Sequence, residues 1–135
     1  MKKLLFVLCL FVSLTFANHV SWQGNYDKAL EEARDNDKIL MVLLIKNDSI
    51  PCKKLVKDIF TNQPYIVKLN QNIVSVIVNK DNSYSYPIEM YWSNEYPTLF
   101  FVNSDNETFL HEPLYGGVTT EEIKKVLNKL YKLQI

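Results

Sequence analysis

The stretch from residue 39 to residue 53 reads ILMVLLIKNDSIPCK. Its first seven residues are all apolar, and an apolar run of this length without polar alternation predicts a central β-strand that is covered on both faces. Asn47, Asp48 and Ser49 are residue types that cap helices, and Pro51 is typical of a first helical position. The stretch therefore predicts a buried strand that leads through a short loop into a helix.

The helix that begins at Pro51 has one apolar face. Cys52, Leu55, Val56 and Ile59 recur at the i, i+3, i+4, i+7 spacing, and lysines occupy the other side. Free cysteine is among the most often buried residues, so the structural interpretation of Cys52 is a buried, unreactive thiol. The functional interpretations are a thiol that forms mixed disulfides with a small thiol or a partner, and a disulfide that links a dimer.

Apolar periodicity in the rest of the chain predicts the other elements. They are, in order, a helix over 26–33, the strand 39–45, the helix from Pro51 to Ile59, a helical segment over 64–69, strands over 73–78 and 98–102, a hairpin partner over 108–111, and a last helix from a Thr119/Glu122 capping box to about Leu130. A helical crossover favours a parallel strand pair, and the hairpin adds an antiparallel one. The order predicts an α/β fold in which helices flank a central mixed β-sheet.

Residues 1–17 have the pattern of a secretory signal peptide. Met1-Lys2-Lys3 is basic, residues 4–14 are almost all apolar, and small residues precede a cleavage site after Ala17. The apolar run is shorter than the roughly 20 residues that span a bilayer, although an uncleaved anchor is the alternative. The sequence therefore predicts cleavage, a single domain over 18–135 without a membrane span, and a periplasmic or secreted location.

Composition and cysteine content narrow the function classes. Loss of two lysines with the signal leaves a net charge of about −2, which disfavours nucleic acid and anionic lipid as partners. His19 and His111 lack metal-ligand spacing, and no Gly-rich phosphate loop is present, so no metal or cofactor is expected. Cys52 would be the only cysteine of the mature chain, so an internal disulfide is excluded even in an oxidising compartment.

Four short features resemble the thioredoxin superfamily in their order and spacing. They are Lys38 to Ile45, Ser49-Ile50-Pro51-Cys52-Lys53, Tyr96-Pro97-Thr98 and Gly116-Gly117. Within the superfamily, the chain most resembles small bacterial exported thioredoxin-like proteins, over about residues 22 to 132. The resemblance implies a thioredoxin-like fold.

The resemblance also implies a role for each feature. Thioredoxins carry a Cys-x-x-Cys dithiol at a helix N-terminus, where the first cysteine attacks a disulfide and the second resolves the mixed disulfide. Ser49 takes the nucleophile position, where its hydroxyl cannot start the exchange, and Cys52 takes the resolving position. Tyr96-Pro97 takes the place of the cis-proline loop that contacts extended peptides. Leu43 stands where many members have a buried acid.

Three functions are compatible with the sequence. The first is a non-catalytic module of the bacterial cell envelope that binds a peptide or protein partner through the Pro97 loop, with Ser49 acting as a helix N-cap. The second is a single-cysteine, redox-active protein in which Cys52 carries out thiol–disulfide exchange as a monothiol oxidoreductase. The third is a structural accessory of an envelope complex that uses an outer helix.

Overall fold

The computed structural model describes residues 18–131, and the predicted signal peptide lies outside the described residues. The strands are β1 (Trp22–Gln23), β2 (Ile39–Ile45), β3 (Ile73–Asn79), β4 (Thr98–Val102) and β5 (Leu114–Tyr115). The α-helices are α1 (Tyr26–Asp35), α2 (Ile50–Asp58), α3 (Ile66–Asn72) and α4 (Thr120–Tyr131). No helix within residues 18–131 is long and apolar enough to cross a membrane.

The strands form one mixed five-stranded sheet in the order β1-β3-β2-β4-β5. The central strand β2 pairs with β3 in parallel, from Ile39 opposite Ile73 to Ile45 opposite Asn79. On its other side β2 pairs with β4 in the antiparallel sense. The predicted mixed sheet is therefore confirmed. The edge strand β1 was not predicted, because a strand of two residues has no readable period.

The central strand is buried on both faces, as its continuous apolar run predicted. Met41 and Leu43 are fully buried in the core that α2, α3 and α4 cover. Leu40 and Val42 are fully buried on the opposite face, against α1. Because successive side chains of a strand point to opposite faces of the sheet, the single apolar run of β2 contributes residues to both cores.

The predicted hairpin partner of β4 is confirmed in part. Phe109 forms an antiparallel bridge with Val102, and two backbone hydrogen bonds of 2.8 Å flank it, from Asn103 N–H to the Thr108 carbonyl and from Leu110 N–H to the Phe101 carbonyl. The pairing with β4 then continues at Leu114–Tyr115, which was not predicted. The chain turns with Glu107 at φ 57°, and Pro113, which has no N–H to donate, precedes the paired strand. The sequence pattern therefore predicted the first part of the hairpin and missed its continuation after Pro113.

The aromatic segment between β3 and β4 is anchored to α1 by one buried tyrosine. Tyr91 is 1% exposed, and its hydroxyl lies 2.8 Å from that of Tyr26. The Tyr26 hydroxyl also donates a hydrogen bond to Glu107 at 3.0 Å. Burial raises the pKa of Tyr91 to about 12, so both hydroxyls stay protonated and the pair is structural.

Candidate functional site

The predicted site residues lie where α2 begins, at the carboxyl ends of the parallel strands β2 and β3. Open α/β sheets bind ligands at this edge. Residues on opposite sides of α2 line two separate cavities there.

Ser49 is the N-cap of α2. Its backbone is extended, with φ −92° and ψ 113°, and its hydroxyl oxygen accepts a hydrogen bond from the N–H of Cys52 at 3.3 Å. The side chain is only 5% exposed. The predicted capping role is confirmed, and caps of this kind stabilise a protein by about 0.5–2 kcal/mol.

Cys52 is a free thiol in the first turn of α2, and it is 4% exposed. It packs on the same helix face as Leu55, which is 5% exposed. The predicted burial of Cys52 is therefore confirmed. Within residues 18–131, no group of three His, Cys, Asp or Glu side chains is arranged to hold a metal ion.

The first cavity, which we call the lysine cavity, has a volume of about 670 Å³. Ser49 and Cys52 both line it, together with Lys46, Lys53 and Lys57. The remaining lining residues are Ile45, Asn47, Asp48, Val56, Thr61 and Asn79. Cationic and neutral polar side chains thus surround the two residues at the predicted dithiol position.

The second cavity, which we call the proline groove, has a volume of about 420 Å³. Ile50 and Pro51 line it on the α2 side, and Pro97, Gly116 and Gly117 line it on the side of the loops. The Tyr96–Pro97 peptide bond is cis, and the Pro97 carbonyl accepts a hydrogen bond from Gly116 N–H at 2.8 Å. Gly116 has a φ of 72°, which favours glycine, so the loop geometry explains this residue.

The structure separates residues that the sequence interpretation had grouped in one site. Pro97 lines the proline groove, whereas Cys52 and Ser49 line the lysine cavity. The Tyr96 ring lies outside both, between Lys46 Nζ at 5.5 Å and Lys80 Nζ at 5.3 Å from its centroid. Contact of the Tyr96-Pro97 loop with an extended peptide stays a prediction.

Ile50 is a groove residue that the sequence interpretation missed. Its side chain is 76% exposed, which is unusual for an isoleucine at the start of a helix. The sequence held one signal, because residue 50 falls outside the apolar stripe of Cys52, Leu55, Val56 and Ile59. An apolar residue off the buried face of a helix indicates a surface contact or a cavity.

Solved structures similar to this chain share the fold. A candidate disulphide-isomerase from Bacteroides thetaiotaomicron is 25% identical, with 88% of this chain and 99% of that chain covered and a TM-score of 0.69. A thioredoxin from Thermus thermophilus is 19% identical, with coverages of 83% and 87% and a TM-score of 0.65. A DsbH oxidoreductase is 19% identical, with coverages of 87% and 88% and a TM-score of 0.62.

Two sequence comparisons add to these structural ones. An uncharacterized protein of Borreliella burgdorferi is 30% identical over 91 residues, which are 65% of this chain and 37% of that protein. The chain thus spans well under half the length of this curated relative. A family model described as thioredoxin-like matches residues 21–104, more than half of the chain. The chain therefore belongs to the thioredoxin-like family.

Proposed function

We propose that this chain is an exported, non-catalytic thioredoxin-like protein that binds an extended peptide or a protein partner of the bacterial cell envelope in the proline groove. The observation that carries the proposal is the composition of this groove. Ile50, Pro51, Pro97 and Gly117 line it, and no cysteine of the described residues does. The proline groove is thus an apolar binding surface that no thiol of the described residues lines.

The exposed side chain of Ile50 gives the groove a source of binding energy. Full burial of an isoleucine side chain stabilises a complex by about 1.5–3 kcal/mol. Lys54 and Asp58, also on α2, line the same groove and offer a cation and a carboxylate to polar groups of the partner. An apolar centre with polar groups beside it is the usual composition of a protein–peptide interface.

The absence of dithiol catalysis follows from the two residues at the α2 N-terminus. Only a thiolate attacks a disulfide, and the resemblance assigns the attacking position to Ser49. The Ser49 hydroxyl is buried and caps the helix. Cys52 is 4% exposed and lines the opposite cavity, so a peptide in the proline groove would not meet its sulfur.

The proposed location follows from residues 1–17. Their basic start, apolar run and small residues before Ala17 are typical of a secretory signal, whose removal would leave residues 18–135 in the periplasm or outside the cell. A binding partner in that compartment would be an envelope peptide or protein.

Single-cysteine exchange is the second candidate function. It is supported by the lysine cavity, which brings solvent-filled space to Cys52, and by a similar structure described as a candidate disulphide-isomerase. In this reaction the Cys52 thiolate attacks a partner disulfide, forms a mixed disulfide with one sulfur and releases the other as a thiolate. The accessibility of Cys52 separates the two functions.

Ile50→Asp tests the proposed groove. We expect it to weaken binding of insulin B chain, with its cysteines carboxymethylated, by about tenfold or more, because a carboxylate replaces the exposed apolar contact. The substitution retains the fold, since an acidic residue at the start of a helix is favourable. Fluorescence anisotropy of the labelled peptide measures the affinity.

Val67→Asp is the matched control. Val67 lies on α3, is 52% exposed, and does not line the proline groove. Its substitution adds the same charge to an exposed apolar position and is expected to leave the affinity unchanged. Equal affinity in wild type and Ile50→Asp, or no binding by the wild type, would contradict the proposal.

A further inference from the structure

The lysine cavity has an excess of positive charge. Lys46, Lys53 and Lys57 line it, and Asp48 is the one carboxylate among its lining residues. None of the three lysines forms an ion pair with a carboxylate in the part of the chain that the structure describes. The side chains that line the cavity thus sum to a charge of about +2, and the Asp81 carboxylate lies close by, where it accepts a hydrogen bond from Asn47 N–H at 2.7 Å.

The position of two of these lysines is unfavourable for the helix itself. Lys53 and Lys57 are four residues apart on α2, a spacing at which like charges repel. Lys53 also lies in the first turn, near the positive end of the helix dipole, and that turn contains no acidic residue. An anion in the cavity would relieve both repulsions, although Lys57 by itself is favourable for the helix because it lies in the last turn, near the negative end of the dipole.

A fourth ammonium group, that of Lys80, adds to the positive potential at this edge of the sheet. Lys46 Nζ and Lys80 Nζ both lie within 5.5 Å of the Tyr96 ring centroid. Both ammonium groups thus face the same ring, and Lys46 is one of the lysines that line the cavity. Lys46 is turned toward Tyr96, so Lys53 and Lys57 are the residues placed to contact a ligand directly.

Neutral hydrogen-bonding groups complete the cavity. Asn47, Thr61 and Asn79 line it along with the charged residues. Its volume of about 670 Å³ falls within the 300–1,000 Å³ typical of small-molecule sites. Its composition differs from the apolar proline groove, so the two cavities suit different ligands.

We propose that the lysine cavity binds a small polyanion, an organic molecule with two or more carboxylate or phosphate groups, through Lys53 and Lys57. Lys46 and Lys80 attract the ligand through their charge. The amide side chains of Asn47 and Asn79 donate hydrogen bonds to its acidic groups. Binding at this site is independent of peptide binding in the proline groove.

Titration of the isotopically labelled protein with citrate and with pyrophosphate tests this proposal by NMR. The largest amide shifts are expected at residues 47–50, 52, 53, 57 and 79, since Pro51 has no amide proton. The double variant Lys53→Gln/Lys57→Gln is expected to weaken binding by about tenfold or more, and added salt should weaken binding to the wild type. The two probes distinguish carboxylate from phosphate groups, and tight binding of either supports the site.

The double variant Lys125→Gln/Lys129→Gln is the matched control. Both residues are exposed on α4 at the same i, i+4 spacing, and neither lines the lysine cavity. It removes the same charge and is expected to bind both probes as the wild type does. Equal weakening in the two double variants, shifts spread over all surface lysines, or no binding of either probe would overturn the proposal.

Discussion

Ser49→Cys is expected to give the chain an internal disulfide and a dithiol activity that the wild type lacks. The side chain of residue 49 is already turned toward the first helical turn, since its oxygen lies 3.3 Å from the Cys52 amide nitrogen. Cα atoms three residues apart in a helical turn are separated by about 5 Å, within the 4.4–6.8 Å that disulfides require. The substitution restores the attacking sulfur that the resemblance assigns to this position.

The gain in activity should be large, because loss of a nucleophile costs covalent enzymes up to about 10⁶-fold in kcat. We expect insulin reduction by Ser49→Cys with dithiothreitol to exceed the wild-type rate by about 10²-fold or more. Mass spectrometry after treatment with glutathione disulfide should show the loss of two hydrogens and no free thiol within residues 18–135.

Ser104→Cys provides the control for a second thiol elsewhere. Ser104 is 5% exposed, and its hydroxyl donates a hydrogen bond to the Lys38 carbonyl at the amino end of β2, the end opposite Cys52. That variant should keep two separate thiols and show wild-type activity. Two free thiols in oxidised Ser49→Cys would show that residues 49 and 52 do not correspond to the family dithiol.

Leu43→Asp is expected to destabilise the protein by about 4 kcal/mol or more at pH 7. Leu43 is fully buried between β2 and the helices that cover this face, so the substitution removes apolar contacts and buries a carboxyl group. The position is the one where many thioredoxins have a buried acid. In this chain its neighbours include Leu99 and Phe101, which are apolar and fully buried.

The destabilisation caused by Leu43→Asp should grow as the pH rises, because the new carboxyl group is buried in the folded state. Desolvation would raise the folded-state pKa of the new carboxyl above its unfolded value of about 3.9. Below that value both states are protonated and the charge adds no penalty. Between the two pKa values only the unfolded state ionises, so each rise of one in pH lowers the free energy of unfolding by about 1.4 kcal/mol.

Leu43→Asn is the control that separates the effect of the charge on stability from the effect of the changed side-chain shape. Asparagine has nearly the same volume as aspartate and does not titrate. Urea unfolding of both variants at pH 4 and pH 8 gives the comparison. We expect the two variants to differ little at pH 4 and by about 2 kcal/mol or more at pH 8. A difference that does not change with pH would contradict the burial of position 43.

The sequence predicted the elements that have strong local signals. The unbroken apolar run of β2 and the Ser49 cap with Pro51 determine a buried strand and the start of α2 without reference to the rest of the chain. The pairing of residues 108–111 with β4 was predicted, and its continuation at Leu114–Tyr115 was missed, because the residues that extend the ladder are set by tertiary contacts. Local patterns of hydrophobicity do not encode that choice.

The separation into two cavities could not be predicted from the sequence. It depends on how the Pro97 and Gly116-Gly117 loops meet one side of α2, and long-range strand pairing of β4 with β2 and β5 fixes that position. The stripe of Cys52, Leu55, Val56 and Ile59 predicted burial of the thiol correctly. It did not predict that Pro97 and Cys52 would line different cavities.

The rate at which Cys52 reacts with a thiol reagent tests the central claim most directly. At pH 7, we predict that 5,5′-dithiobis(2-nitrobenzoate) labels the native protein about 10²-fold or more slowly than the urea-unfolded chain, because the thiol reacts only when the structure opens locally. Native labelling at a rate close to that of the unfolded chain would contradict a sheltered, non-catalytic Cys52. That result would favour exchange chemistry at this residue.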